Sequence, residues 1–227
     1  MRKATVLLPF LYLLPWGVQC LVNNFMPVYL ASLPFATEKT VGYVMAFGSV
    51  VTMVTQPVWA KAADRSSNKS RVLMWSFICL AFFSILFINQ KITQPLLYGM
   101  VFLFYSCYMV HQPLIDSIAV ENENRLHCSF GAIRSFASLG YALAGLVFGI
   151  IDQGTSNGIF YYVAALALAS AVLAGRMPPP ETAIQKQRAA KAGVINKQFV
   201  LFLGYTFFLY IASSASPPSS RCIMQRS

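Results

Sequence analysis

Asp116 and Arg134 carry opposite charges and lie 18 residues apart, each at the inner end of a long apolar segment. A charge inside such a segment costs roughly 2.5–3.5 kcal/mol on membrane-insertion scales, so it persists where it is paired, faces water or has a function. A guanidinium is a planar fork of donors, and a carboxylate supplies acceptors. The two groups could therefore grip adjacent hydroxyls of a polar ligand, and a permanent structural ion pair is the alternative.

The composition indicates a chain that lies mostly in a membrane. Of 227 residues, 57% are hydrophobic and 11% are charged, whereas soluble domains carry about 25% charged residues. The net charge of +10 does not predict nucleic-acid binding, because the basic residues lie between apolar segments and lack an aromatic stacking platform. The five cysteines form no CxxC pair, so we expect neither a disulfide framework nor a metal site, and no cofactor.

Seven apolar segments, bounded by charges, prolines or polar clusters, predict membrane-spanning helices of about 20 residues. The segments cover approximately residues 6–33, 41–60, 72–89, 96–120, 135–151, 159–173 and 199–215. The fold class predicted is therefore all-α and polytopic. We expect four regions along the chain: a six-helix bundle (1–175), a basic cytoplasmic linker (176–197), a seventh helix (198–215) and a polar tail (216–227) that could be a frameshift product.

Lys and Arg are distributed unequally between the loops. One set of alternate loops carries most of them: Arg2, Lys3, Lys61, Arg65, Lys69, Arg71, Arg125, Arg176, Lys186, Arg188, Lys191 and Lys197. The other set carries only Lys39 and Lys91. Because cytoplasmic loops are enriched in basic residues, this asymmetry predicts a multi-pass protein of the cell membrane with a cytoplasmic N-terminus.

Other polar residues lie within the apolar segments. Asn23 follows Gln19 by four residues, so both share a helix face that could line a cavity. Hydrogen bonding between helices is the alternative for both residues. His111 precedes Asp116 by five residues, about 140° around a helix, which leaves a proton relay and a purely structural histidine open. The Gly145-x-x-x-Gly149 spacing predicts a helix contact face.

The basic stretch after the second segment carries a resemblance to a known family. Residues 60–71 read AKAADRSSNKSR, which is similar to the pattern G-x-x-x-D-R-x-G-R-K of the loop between helices two and three in the major facilitator superfamily. Asp64 and Arg65 match, whereas Ala60 and Ser67 replace the two glycines. The resemblance implies that Asp64, Arg65 and the nearby Gln56 have gating roles. A solvated loop is the alternative.

A further resemblance, over residues 1 to about 212, is to the lactose-permease branch with its oligosaccharide, phenylpropionate and nucleoside relatives. It is carried by FMPVYL at 25–30, by Gln56-Pro57, by Asp116, and by GAIRSFASLGY at 131–141. This resemblance implies that Asp116 and Arg134 bind substrate hydroxyls. Tyr141 falls where that branch has a tryptophan that stacks on a sugar ring, and packing alone is its alternative role.

Together these observations predict a secondary transporter rather than an enzyme. The substrate-binding candidates are Asp116, Arg134, Tyr141, Asn23 and Gln19. The expected partners are a small polar solute such as a sugar, a proton, the lipid bilayer and a C-terminal half. A single six-helix bundle should show little active transport without a second half. A membrane remnant or scaffold that does not transport is the second hypothesis.

Overall fold

A computed structural model of the chain describes residues 2–66, 68–88, 92–126, 130–151, 158–177, 201, 204–206 and 208–209. In this part of the chain the structure is all-α, as predicted. It has seven helices: α1 (Arg2–Ala31), α2 (Glu38–Arg65), α3 (Lys69–Leu86), α4 (Gln94–Tyr108), α5 (His111–Leu126), α6 (Phe130–Ile151) and α7 (Ile159–Gly175). The chain divides into two compact units, residues 1–184 and 185–227.

The division into bundle, linker, seventh helix and tail stays a prediction. All seven helices lie in the first unit. In the second unit, residues 201, 204–206 and 208–209 are helical and fall within the predicted seventh helix. Residues 178–197 of the predicted linker and the whole predicted tail lie outside the described residues.

The prediction of one continuous helix over residues 96–120 is wrong, because this segment consists of the separate helices α4 and α5. Pro113 explains the interruption. Proline lacks the N–H that would bond to the carbonyl four residues earlier, and its ring clashes with that carbonyl. The carbonyl concerned belongs to Met109, which ends α4 with φ −93° and ψ 6°.

Helices α1 and α6 run in the same direction and approach closely through small residues. A methyl group built on Gly17 would lie 3.3 Å from the side chain of Ala144, and one built on Gly145 would lie 3.1 Å from the Cys20 sulfur. Gly140 lies against the backbone of Leu13 with no space for a side chain. The expected contact face is wrong at Gly149, where a methyl group would meet none of the described residues of other helices within 4 Å.

Contacts between the other helices show their relative directions, which alternate from one span to the next. Helix α3 is antiparallel to α7, since Met74 meets Gly175 and Phe87 stacks on Phe160. Helix α2 is parallel to α4, since Phe47 contacts Tyr98 and Thr52 bonds to the carbonyl of Tyr105. One end of the bundle therefore collects the start of α1, the α2–α3 and α5–α6 turns and the end of α7.

Three helices of the described chain, α2, α3 and α6, are long and apolar enough to cross a membrane. Helix α7 is apolar but shorter, and the interruption leaves α4 and α5 with 15 and 16 residues. Large apolar side chains are exposed on α2 and α6, among them Met53, Val54, Leu146 and Ile150. Such exposed apolar faces suit a lipid environment or another helix and disfavour water.

Candidate functional site

Asp116 on α5 and Arg134 on α6 meet in an ion pair. The Arg134 Nη1 donates to Asp116 Oδ2 at 3.1 Å. The Arg134 side chain is 46% exposed and that of Asp116 is 26% exposed, so the pair lies at an opening of the bundle. The Arg134 guanidinium also lies 5.7 Å from the centre of the Phe130 ring. The expected meeting of the two charges is thus observed, while their role in binding stays a prediction.

Tyr12 of α1 is the third member of this cluster. Its hydroxyl donates to Asp116 Oδ1 at 2.6 Å, so the two carboxylate oxygens have different partners. Tyr12 is fully buried and its ring stacks on Trp16 at 5.0 Å. Sequence reasoning missed Tyr12, because one tyrosine within an apolar segment gives no signal by itself. Only the approach of α1 to α5 brings it to the carboxylate.

Tyr141 and Asn24 form a second polar contact across the α1–α6 interface. The Asn24 Nδ2 donates to the Tyr141 hydroxyl at 3.0 Å and to the Cys20 carbonyl at 3.0 Å. Asn24 is exposed and Tyr141 is half-buried. Tyr141 follows Arg134 by seven residues, about 10 Å along α6. The phenol ring is therefore placed on the same helix as the guanidinium, two turns farther along.

Asn23 and Gln19 meet α4 through Tyr108. The Tyr108 hydroxyl donates to Asn23 Oδ1 at 3.0 Å and lies 3.4 Å from the Gln19 carbonyl. The Gln19 Oε1 is buried and has no hydrogen-bond partner among the described residues. Asn23 is exposed and Gln19 is half-buried. The bonding between helices that was the alternative for these residues is observed for Asn23, and a role in binding stays a prediction for both.

His111 is the first residue of α5 and is 1% exposed. Its Nδ1 lies 2.6 Å from the Tyr108 carbonyl. The ring also contacts Trp16 and Phe77. In the described structure Asp116 Oδ1 accepts its hydrogen bond from the Tyr12 hydroxyl. The buried position of His111 among aromatic rings supports the structural role for this residue rather than the proton relay.

The three residues expected to gate lie on α2. Asp64 and Arg65 are its last two residues and are exposed, and Gln56 is half-buried next to Pro57. Across the following turn, Lys69 Nζ donates to Ser117 Oγ at 2.8 Å. The α2–α3 turn is thus joined to α5 at the residue directly after Asp116. Within the described residues, no group of three or more His, Cys, Asp or Glu side chains is arranged to hold a metal ion.

The bundle thus holds two ionisable side chains within its apolar helices, and such residues commonly mark functional sites in membrane proteins. The family model described as "MFS_1 like family" matches residues 6–215. The chain therefore belongs to this family of the major facilitator superfamily, whose members are multi-pass membrane transporters and not enzymes. The family resemblance predicted from the sequence is confirmed.

Two curated relatives and one solved structure are similar to the chain. Maltose permease of Geobacillus stearothermophilus is 28% identical over 192 residues, which are 82% of this chain and 48% of that protein. The uncharacterized transporter YwbF of Bacillus subtilis (strain 168) is 23% identical, over 84% of this chain and 49% of that protein. The nucleoside transporter NupG has a similar fold, with a TM-score of 0.67 and 17% identity, over 92% of this chain and 53% of that one. The chain spans about half the length of the curated relatives it matches.

Proposed function

We propose that the chain binds a small polar organic solute, such as a sugar, between α1, α5 and α6, and that it acts in a secondary transporter that works by alternating access. The observation that carries this proposal is the 3.1 Å pair between Asp116 and Arg134, open to the outside of the bundle. Because both side chains are partly exposed, their donors and acceptors are accessible to the hydroxyls of a solute.

Polar groups near the pair support a solute of some length. Tyr141, Asn23 and Gln19 lie on α6 and α1 beyond the ion pair. In this proposal the Tyr141 ring stacks on an apolar face of the solute, as aromatic rings do on flat ligands. The amides of Asn23 and Gln19 add hydrogen bonds. The names of two relatives, a maltose permease and a nucleoside transporter, are compatible with such solutes.

The orientation and the driving force belong to the same proposal. Lys61, Arg65, Lys69, Arg71 and Arg176 all lie at the end of the bundle where α1 begins. By the positive-inside rule this end faces the cytoplasm of a cell membrane. Asp64, Arg65 and Gln56 would then gate the cytoplasmic opening. Symport with a proton is proposed from the family resemblance alone.

Binding of labelled maltose and of labelled uridine to the purified chain in lipid nanodiscs tests the proposal. Arg134→Ala should weaken binding of the solute by roughly ten- to a hundredfold, because it removes charge-assisted hydrogen bonds of about 1.5–3 kcal/mol. Arg134→Lys should also bind poorly, since an ammonium cannot reproduce the planar fork.

Arg176→Ala is the matched control, because it removes an exposed arginine from the end of α7, outside the site. Its affinity should equal that of the unmodified chain. Equal affinity of Arg134→Ala and the unmodified chain, or no binding of either solute, would contradict the proposed function.

A further inference from the structure

We propose that Tyr12 makes the site selective for uncharged solutes over organic anions, because it holds the Asp116 carboxylate beside Arg134. This inference rests on the proposed function of the Asp116–Arg134 pair. It assigns a specificity role to a residue of α1 that neither the sequence motifs nor the relatives indicate.

The contact between Tyr12 and Asp116 is short and enclosed. The hydroxyl-to-Oδ1 distance is 2.6 Å, within the range for hydrogen bonds from a hydroxyl to a carboxylate, which are about twice as strong as neutral ones. Tyr12 is 0% exposed. The phenol therefore donates to Oδ1 from the packed interior of the bundle, while the Asp116 side chain keeps 26% of its surface exposed to a solute.

The Tyr12 ring is itself braced. It stacks on Trp16, one turn farther along α1, with an interplanar angle of 27°. The Trp16 ring meets His111 edge-on at 5.7 Å. His111 and Asp116 both belong to α5, so two residues of α1 hold α5 at two points. This arrangement opposes rotation of α5, which would carry Asp116 away from Arg134.

The hydrogen bond from Tyr12 to Asp116 has a consequence for the charge of a bound solute. An arginine without a fixed counterion is a good bidentate partner for a carboxylate ligand. Here Asp116 stays beside Arg134, so the guanidinium charge is already compensated. An anionic solute would bring a second negative charge within a few ångströms of Asp116, and like charges at that distance repel each other.

An uncharged solute avoids this repulsion. A hydroxyl can accept from one of the further N–H groups of Arg134 and donate to Asp116 Oδ2, because a guanidinium has five donors and a carboxylate oxygen has two lone pairs. The fixed pair is thus complementary to sugar or nucleoside hydroxyls. Aromatic and other carboxylic acids should bind weakly.

Binding of maltose and of 3-phenylpropionate to the purified full chain in nanodiscs measures this selectivity. The unmodified chain should bind maltose at least tenfold more tightly than 3-phenylpropionate. Tyr12→Phe keeps the ring and removes the hydroxyl, and should reduce the affinity ratio about tenfold. Trp16→Phe keeps the Tyr12 hydroxyl but reduces the aromatic surface that stacks on the Tyr12 ring. It should give an affinity ratio between those of the unmodified chain and Tyr12→Phe.

Tyr29→Phe is the matched control. It removes a hydroxyl from the same helix, one that donates to the Phe87 carbonyl at 2.9 Å, far from Asp116. Its affinity ratio should not change. An unchanged ratio in Tyr12→Phe, or an equal change in Tyr29→Phe, overturns the inference.

A second measurement needs no solute. Asp116 should react severalfold faster with dicyclohexylcarbodiimide in Tyr12→Phe than in the unmodified chain or in Tyr29→Phe, as read by mass spectrometry, because Oδ1 loses its hydrogen bond from the phenol. Equal rates would show that Tyr12 does not hold the carboxylate. If Arg134→Ala abolishes maltose binding while Tyr12→Phe leaves the ratio intact, this inference alone fails. If no probe binds, the proposed function fails with it.

Discussion

Gly140 provides a quantitative test of how closely α1 and α6 must approach. A methyl group at this position would lie 2.7 Å from the Leu13 carbonyl carbon and closer still to the carbonyl oxygen. Ordinary contact begins at 3.4 Å, so Gly140→Ala requires the helices to separate by about 0.7 Å or more. Over-packing of this kind costs about 1–3 kcal/mol. The cost should lie at the upper end, because the obstacle is backbone and cannot change its rotamer.

Gly149→Ala is the reference variant for this comparison. Among the described residues, nothing outside α6 itself lies within 4 Å of a methyl group built on Gly149, so alanine there should gain up to about 1 kcal/mol from its higher helix propensity. Alanine brings the same propensity gain to both positions, so the two variants should differ by the over-packing cost, at the upper end of about 1–3 kcal/mol in the free energy of unfolding. That difference corresponds to a Tm gap on the order of 10 °C. Gly145→Ala, whose methyl group would lie 3.1 Å from the Cys20 sulfur, should fall between them.

Thermal unfolding of the three variants in one detergent, followed by circular dichroism, measures the order. Gly140→Ala should also weaken solute binding, because α1 carries Tyr12 and Asn24 while α6 carries Arg134 and Tyr141. A Gly140→Ala protein as stable as Gly149→Ala would refute the close approach of α1 and α6 on which the site depends.

Two further predictions concern the ring and the proposed gate. Tyr141→Phe should retain most of the affinity for maltose, whereas Tyr141→Ala should lose about tenfold, because stacking depends on the ring; equal losses in both variants would assign the effect to the bond with Asn24. Asp64→Asn should speed both binding and release of maltose at an unchanged Kd in stopped-flow measurements, because a gate changes the barrier and not the bound state. A changed Kd with unchanged rates would contradict a gating role for Asp64.

The helical elements were predictable because apolar runs bounded by charges and prolines carry a strong signal. The clearest failure was the fourth segment. Hydropathy averages over the whole run from Leu96 to Val120, whereas Pro113 breaks the backbone hydrogen bonds locally. A proline near the middle of an apolar segment was the available signal for the interruption.

The Asp116–Arg134 pair was predictable because charged residues are rare in such segments. Tyr12 and Asn24 were not, since their partners are set by the packing of α1 against α5 and α6. The glycine positions show the same limit. The 145–149 spacing indicated a contact face, but the helix rotation turned Gly140 and Gly145 toward α1 and left Gly149 outside.

The interruption between α4 and α5 leaves the fourth span without continuous backbone hydrogen bonding at its centre. Helix α4 packs on α2 and α3, whereas α5 packs on α3, α1 and α6. Tyr108 and Asp116 lie on opposite sides of the interruption. A bend at Met109 would therefore change the distance between the Tyr108–Asn23 contact and the Asp116–Arg134 pair.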